Sequence, residues 1–258
     1  MKKIQAFLRI LQLWDSNKAA DYGSPEALLL LARLAENKAD PIQKYITSLE
    51  YYLESFRLGS QRAATHIVEL VNKPETISIL EKEVKNENPD AMYIWAALTA
   101  YNFDYTFTKK QAVKFLEKSA TKNHIPSLIE LGLLYSKGTG VELNKKKAAY
   151  YFNKAASLGS VEAKIRLVMF KILNNDKTLN LSKEISLLKK YNKAGSVLAE
   201  TVLAYCYQNG KGVKKNDAEA VRLYKKASMR GSQAAYNSLK RMYDVIRPPD
   251  KKFKIYNE

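Results

Sequence analysis

The strongest constraint on this chain is a period. Residues 196–231, SVLAETVLAYCYQNGKGVKKNDAEAVRLYKKASMRG, fall on 124–159, HIPSLIELGLLYSKGTGVELNKKKAAYYFNKAASLG, when shifted by 72 positions. Gly138, Gly140, Val141, Ala148, Phe152, Ala155 and Gly159 then coincide with Gly210, Gly212, Val213, Ala220, Tyr224, Ala227 and Gly231. The segment between them obeys half that shift: Gly159, Gly195 and Gly231 are 36 apart, as are Ala163, Ala199 and Ala235. A fixed period between about 20 and 50 residues signals stacked supersecondary units, each resting on its neighbours, rather than separate closed cores.

The units can be traced almost end to end from the alanine that begins each first helix. Ala27, Ala63, Ala91, Ser127, Ala163, Ala199 and Ala235 are 36 apart except for one step of 28, so only the second unit is short. Three positions earlier stand Ser24, Ser60, Asn88, His124, Ser160, Ser196 and Ser232. Six of these seven are residues whose side-chain oxygen caps the free N–H groups of a first helical turn. Pro25, Pro89 and Pro126 lie within the first turn, where the missing N–H costs little. One residue before the caps come Gly23, Gly59, Glu87, Asn123, Gly159, Gly195 and Gly231, mostly of the type that closes a preceding helix in a left-handed turn.

Apolar columns run along the first helices. Leu31, Ile67, Trp95, Leu131, Leu167 and Leu203 lie four after the alanine; Leu34, Leu70, Leu98, Leu134, Phe170 and Cys206 lie seven after it. Together they draw one stripe of helical periodicity, and no stretch alternates with the period of a strand. The column between them is small (Ala32, Val68, Ala96, Gly132, Val168, Ala204), which lets two helices approach closely.

The pattern Leu-Gly-x-x-Tyr-x-x-Gly-x-Gly-Val, followed by Ala-x-x-x-(Phe/Tyr)-x-x-Ala and a closing glycine, resembles the Sel-one-like repeat family, relatives of tetratricopeptide repeats. It is carried by Leu131, Gly132, Tyr135, Gly138, Gly140, Val141, Ala148, Phe152, Ala155, Ala156 and Gly159, and again over 199–231 with Ala204 in place of the first glycine. Units 24–59, 60–87, 88–123 and 160–195 keep the caps and columns but lose the Gly-x-Gly loop, so two units are diagnostic. The resemblance implies a bacterial, all-α, right-handed α-solenoid of about six helix-turn-helix repeats that binds other proteins. It implies an adaptor role and, more narrowly, an immunity protein neutralising a toxin or secreted effector. The expected organisation is an N-terminal helix over 1–23, the array over 24–231, and a capping helix with a polar tail over 232–258, the helix ending at Arg247-Pro248-Pro249.

Chemistry-bearing motifs are scarce. Gly138-x-Gly140 and Gly210-x-Gly212 follow no strand, so they read as tight turns rather than nucleotide loops. His66 and His124 stand alone, without metal-ligand spacing; Cys206 falls in the buried stripe; Glu81 and Glu83 face different ways on a helix. The expectation is no enzyme, no cofactor and no metal. A single cysteine allows no internal disulfide. Gln5, Arg9 and Gln12 interrupt the apolar start, so neither a secretory signal nor a membrane span is expected, and the chain reads as cytoplasmic, a monomer or weak dimer.

Charge is the remaining signal. Residues 1–122 hold 17 Lys and Arg against 15 Asp and Glu, whereas 123–258 hold 26 against 11. Lys145, Lys146 and Lys147, with Lys214 and Lys215, form a candidate basic face for an acidic protein partner. Nucleic acid is the alternative, weakened because lysine greatly outnumbers arginine. Positions two and six after the start alanine point away from the stripe and are apolar in the later units. Tyr93, Ile129, Leu133, Ile165, Met169 and Tyr205 are therefore expected to be partly exposed in one concave trough that seats an apolar segment.

Overall fold

The computed structural model describes residues 16–104, 106–176 and 180–246, the side chains of 244–246 excepted. Six helix pairs follow one another: α1 (Pro25–Glu36) with α2 (Ser48–Arg57), α3 (Gln61–Val71) with α4 (Pro74–Lys85), and α5 (Pro89–Ala100) with α6 (Lys109–Thr121). Then come α7 (Ile125–Lys137) with α8 (Lys145–Ser157), α9 (Val161–Leu173) with α10 (Leu181–Lys193), and α11 (Val197–Asn209) with α12 (Asp217–Met229). A closing helix, α13, spans Gln233–Ile246, and a π-helical stretch, Ile42–Thr47, leads into α2. There is no strand among the described residues. The fold is the α-solenoid expected. A short helical segment runs over 16–21; residues 1–15 of the expected leading helix and the tail beyond 246 lie outside the described residues.

The joints work as their residue types dictate. Ser24, Asn88, Ser160, Ser196 and Ser232 accept a backbone N–H from two or three positions on, whereas Ser60 makes no such bond. Where glycine is missing at a joint, Glu87 and Asn123 still take the left-handed turn, with φ of 57° and 60°. Such a turn is strained for glutamate. Lys118 Nζ, 2.8 Å from its carboxylate, and Lys122, which donates to its carbonyl, hold Glu87 in place.

Packing follows the columns. Ile67, Leu131 and Leu203 are fully buried and Trp95 nearly so. The small column has the use foreseen: a Cβ on Gly132 would lie 2.6 Å from Cε1 of Phe152, so the ring of α8 rests on the bare backbone of α7. One apolar core runs from α1 to Ala163 and a second from Ile165 to Met242.

The short second unit sets the overall course. Its helices leave α2 free to pack directly on α5, and the array coils tightly enough for its ends to meet. A Cβ on Gly59 would sit 2.8 Å from the amide nitrogen of Gln233 and 2.9 Å from the carbonyl oxygen of Gly231. Tyr22 packs on Tyr191 with ring centroids 6.0 Å apart. The superhelix thus turns back on itself, with the N-terminal ends of α5, α7 and α9 gathered at its axis.

Candidate functional site

That closure decides what the axis can be. Tyr93, Ile129 and Ile165, two positions after the start residue, are no more than 1% exposed. They do not line a trough, and the single concave groove expected from the sequence is corrected on this point. First-helix N-termini converge there on a polar network, which borders a cavity of about 410 Å3 lined by Glu54, Arg57, Ile129 and Glu162.

Arg57, from the last turn of α2, is its centre, with a side chain 2% exposed. Its Nε and Nη2 donate to the two carboxylate oxygens of Glu162, at 3.1 and 3.0 Å, in a bidentate pair spanning 105 residues. Nη1 donates to the Tyr93 hydroxyl at 2.7 Å. Arg166 Nε donates to Glu162 at 2.7 Å, and the Tyr101 hydroxyl donates to Glu130 at 2.6 Å. Burial pushes the Glu162 carboxyl up, but Arg57 and Arg166 together outweigh it and hold it down at about 2. Burial pushes Glu54 up to about 8 despite Arg57. The network is thereby tied together: Arg57 and Arg166 share Glu162, and Arg57 also lies 4.0 Å from Glu130.

Positions one helical turn further out escape this crowding. Leu133 and Met169 are half-buried and share a cleft of about 370 Å3 with Phe170, Leu173, Leu198 and Val202. Lys137, Lys145 and Arg166 border it. Tyr205, also half-buried, lines a second cleft of about 490 Å3 between α11 and α13, with Met242, Lys215, Asp217 and Arg241. The six expected residues therefore divide into three core residues and two clefts.

Lys214 and Lys215 lie in the α11–α12 loop. Lys145, Lys146 and Lys147 instead form the first turn of α8. Cations there oppose the helix dipole and cost stability. Lys147 lies 4.8 Å over the Tyr135 ring, while Lys145 and Lys146 are exposed and make no ion pair among the described residues.

Two solitary residues gain neighbours. His124 Nε2 lies 3.2 Å from Glu50 Oε1 and 3.2 Å from Asp90 Oδ1, groups 74 and 34 residues away. His66 stacks on Tyr52 at 4.9 Å and meets Glu69 at 3.5 Å. The available signal for His124 was that it alone breaks the capping column; nothing local marks Glu50. Cys206 is buried, and burial pushes its thiol up to about 11, the opposite of what a nucleophile needs.

The Sel1 repeat family matches this chain over residues 89–124, 125–160 and 197–232. The first of these lacks Gly-x-Gly and was not among the two units read as diagnostic; there Asn102 adopts φ 62°, doing what Gly138 does at 71°. No curated protein matches the sequence. Among solved structures, a protective antigen of uropathogenic Escherichia coli with an SLR fold superposes with a TM-score of 0.55 at 20% identity, covering 91% of this chain. This chain spans 52% of that antigen's length. A Sel1 repeat protein of Oxalobacter formigenes gives 0.53 at 19% identity, covering 90% of this chain and 81% of its own. No helix among the described residues is long and apolar enough to cross a membrane.

Proposed function

This chain is a Sel1-like repeat protein, and from that premise we propose that it is a non-catalytic scaffold holding another protein in the clefts of its C-terminal half. The observation that carries the reading is the cleft of Leu133 and Met169. Apolar side chains stand half-open there, beside cations that no carboxylate of the described residues neutralises except at Arg166. Desolvating apolar anchors supplies binding energy, and unpaired peripheral cations steer an acidic segment and select against a basic one. The partner is a protein that presents an acidic segment with apolar anchors. The narrower role is neutralisation of a secreted toxin or effector, which rests on the kinship alone.

The test is fluorescence anisotropy with amphipathic peptides of one apolar pattern and acidic, neutral or basic polar faces. The acidic peptide should bind best, with an on-rate that falls as salt rises. Equal binding of all three would remove the reading. Tight binding of generic RNA at physiological salt would replace it with phosphate recognition by the basic half.

A further inference from the structure

The cluster of Glu50, Asp90 and His124 has a chemistry that neither the repeat frame nor the clefts require. Three units contribute to it: α2 supplies Glu50, the first turn of α5 supplies Asp90, and His124 occupies the position before α7. The bonds around the ring fix the tautomer. The carbonyl of Pro89 can only accept, so the Ser119 hydroxyl, 2.9 Å away, donates to it. Ser119 then accepts from the Ser127 hydroxyl at 2.9 Å, which leaves Ser127 only lone pairs to offer His124. Nδ1, 2.9 Å from that hydroxyl, therefore carries a proton. The 3.4 Å approach of the Ser127 N–H to the same nitrogen is consequently no hydrogen bond, and His124 does not cap α7 as the serines cap their helices.

Nε2 is thus the free end of the ring, and it faces two carboxylate oxygens. A bare lone pair cannot rest against two anions, so a cation must sit on Nε2. A proton is one candidate. The geometry also suits a metal: both Nε2–oxygen separations are 3.2 Å. Ligand atoms of a tetrahedral ion with bonds of about 2.0–2.1 Å lie about 3.3–3.4 Å apart. The three ligand atoms lie within 4.8 Å of one another, and the Asp90 side chain, 42% exposed, opens the fourth position to solvent.

We propose that Glu50, Asp90 and His124 form a binding site for a divalent transition-metal ion of the zinc type, tying the first helix pair to the third and fourth. One imidazole and two carboxylates select such an ion over magnesium or calcium, which favour all-oxygen shells. The Ser127–Ser119–Pro89 relay supplies the outer-shell support that holds a ligating imidazole in register. This assignment is independent of the clefts, whose linings include none of Glu50, Asp90 and His124.

The test uses the full chain, stripped with a chelator and titrated with Zn2+ by calorimetry and with Co2+ by visible absorption. One ion should bind per chain, and Co2+ should give the intense absorption of a four-coordinate site. His124→Asn restores the capping residue type found in the other units, so the fold is kept. It should lower affinity by more than the about 10–100-fold typical of losing an outer-shell partner, and Ser127→Ala should fall within that range. His66→Asn should change nothing. Absence of stoichiometric Zn2+ binding would overturn the proposal, leaving a proton as the cation on Nε2. Binding that survives His124→Asn, or that disappears with His66→Asn, would overturn it equally.

Discussion

The axis of the superhelix and the clefts of its C-terminal half draw on the same residue types with opposite results. At the axis the guanidinium groups have their answer: Arg57 meets Glu162 in a bidentate pair, Arg166 shares that carboxylate, and burial pushes Glu54 towards its neutral form. At the clefts Lys145 has no carboxylate among the described residues, and Leu133 and Met169 stand half-open. Satisfied charge is architecture. Unsatisfied charge beside open apolar surface is a means of binding something else.

The comparison can be broken most forcefully at Arg57. Arg57→Ala leaves Glu162 buried with only Arg166 and should cost about 3–5 kcal/mol in urea unfolding. A cost near zero would mean that the axis is not what holds the turn closed. Leu131→Ala, in the core between axis and clefts, should cost about 2–5 kcal/mol through the cavity it leaves. Gly132→Leu should be worse, because the new side chain collides with Phe152.

Acid sharpens the contrast. Glu162 has a folded pKa below its unfolded value, so its stabilisation is present above the ordinary carboxylate range. It is lost as pH falls from 4.5 towards about 2. The loss is on the order of 3 kcal/mol. Glu54 has the opposite sign: its raised pKa makes stability decline as pH rises from 4.5 through about 8. Denaturation midpoints should fall on the acid side in the wild type and much less in Glu162→Gln. Glu54→Gln should reduce the decline on the alkaline side. Smallest of all is the effect of reversing Lys145 and Lys146 to glutamate, which should move the melting temperature little, because exposed charges contribute little to stability. It should slow association with an acidic peptide instead.

Most of the frame was legible in the sequence, because each unit repeats the same local physics: a cap, a small column, an apolar stripe, a left-handed stop. The curvature was not. It depends on how closely α2 approaches α5 past the short second unit, and no local pattern states that. This is why Tyr93, Ile129 and Ile165, apolar and outward-facing on one helix considered alone, are core residues in the coiled array. Leu133, Met169 and Tyr205 follow the same column logic one turn further out and remain partly open. His124 shows the converse. It breaks the capping column, and departures from a repeat's own rule are where sites are found, but Glu50 and Asp90 reach it only through stacking.

The central claim is that the clefts bind and the axis supports. The most direct measurement compares the affinity of an acidic amphipathic peptide for the wild type, Met169→Asp and Tyr93→Phe, with the thermal melt of each. Met169→Asp should lose at least about tenfold in affinity with its melt preserved, since it places an anion in the cleft. Tyr93→Phe removes the hydroxyl that accepts from Arg57 and should destabilise by about 1–3 kcal/mol while leaving affinity intact. Affinity lost in Tyr93→Phe and kept in Met169→Asp would put the working surface at the axis and contradict the account.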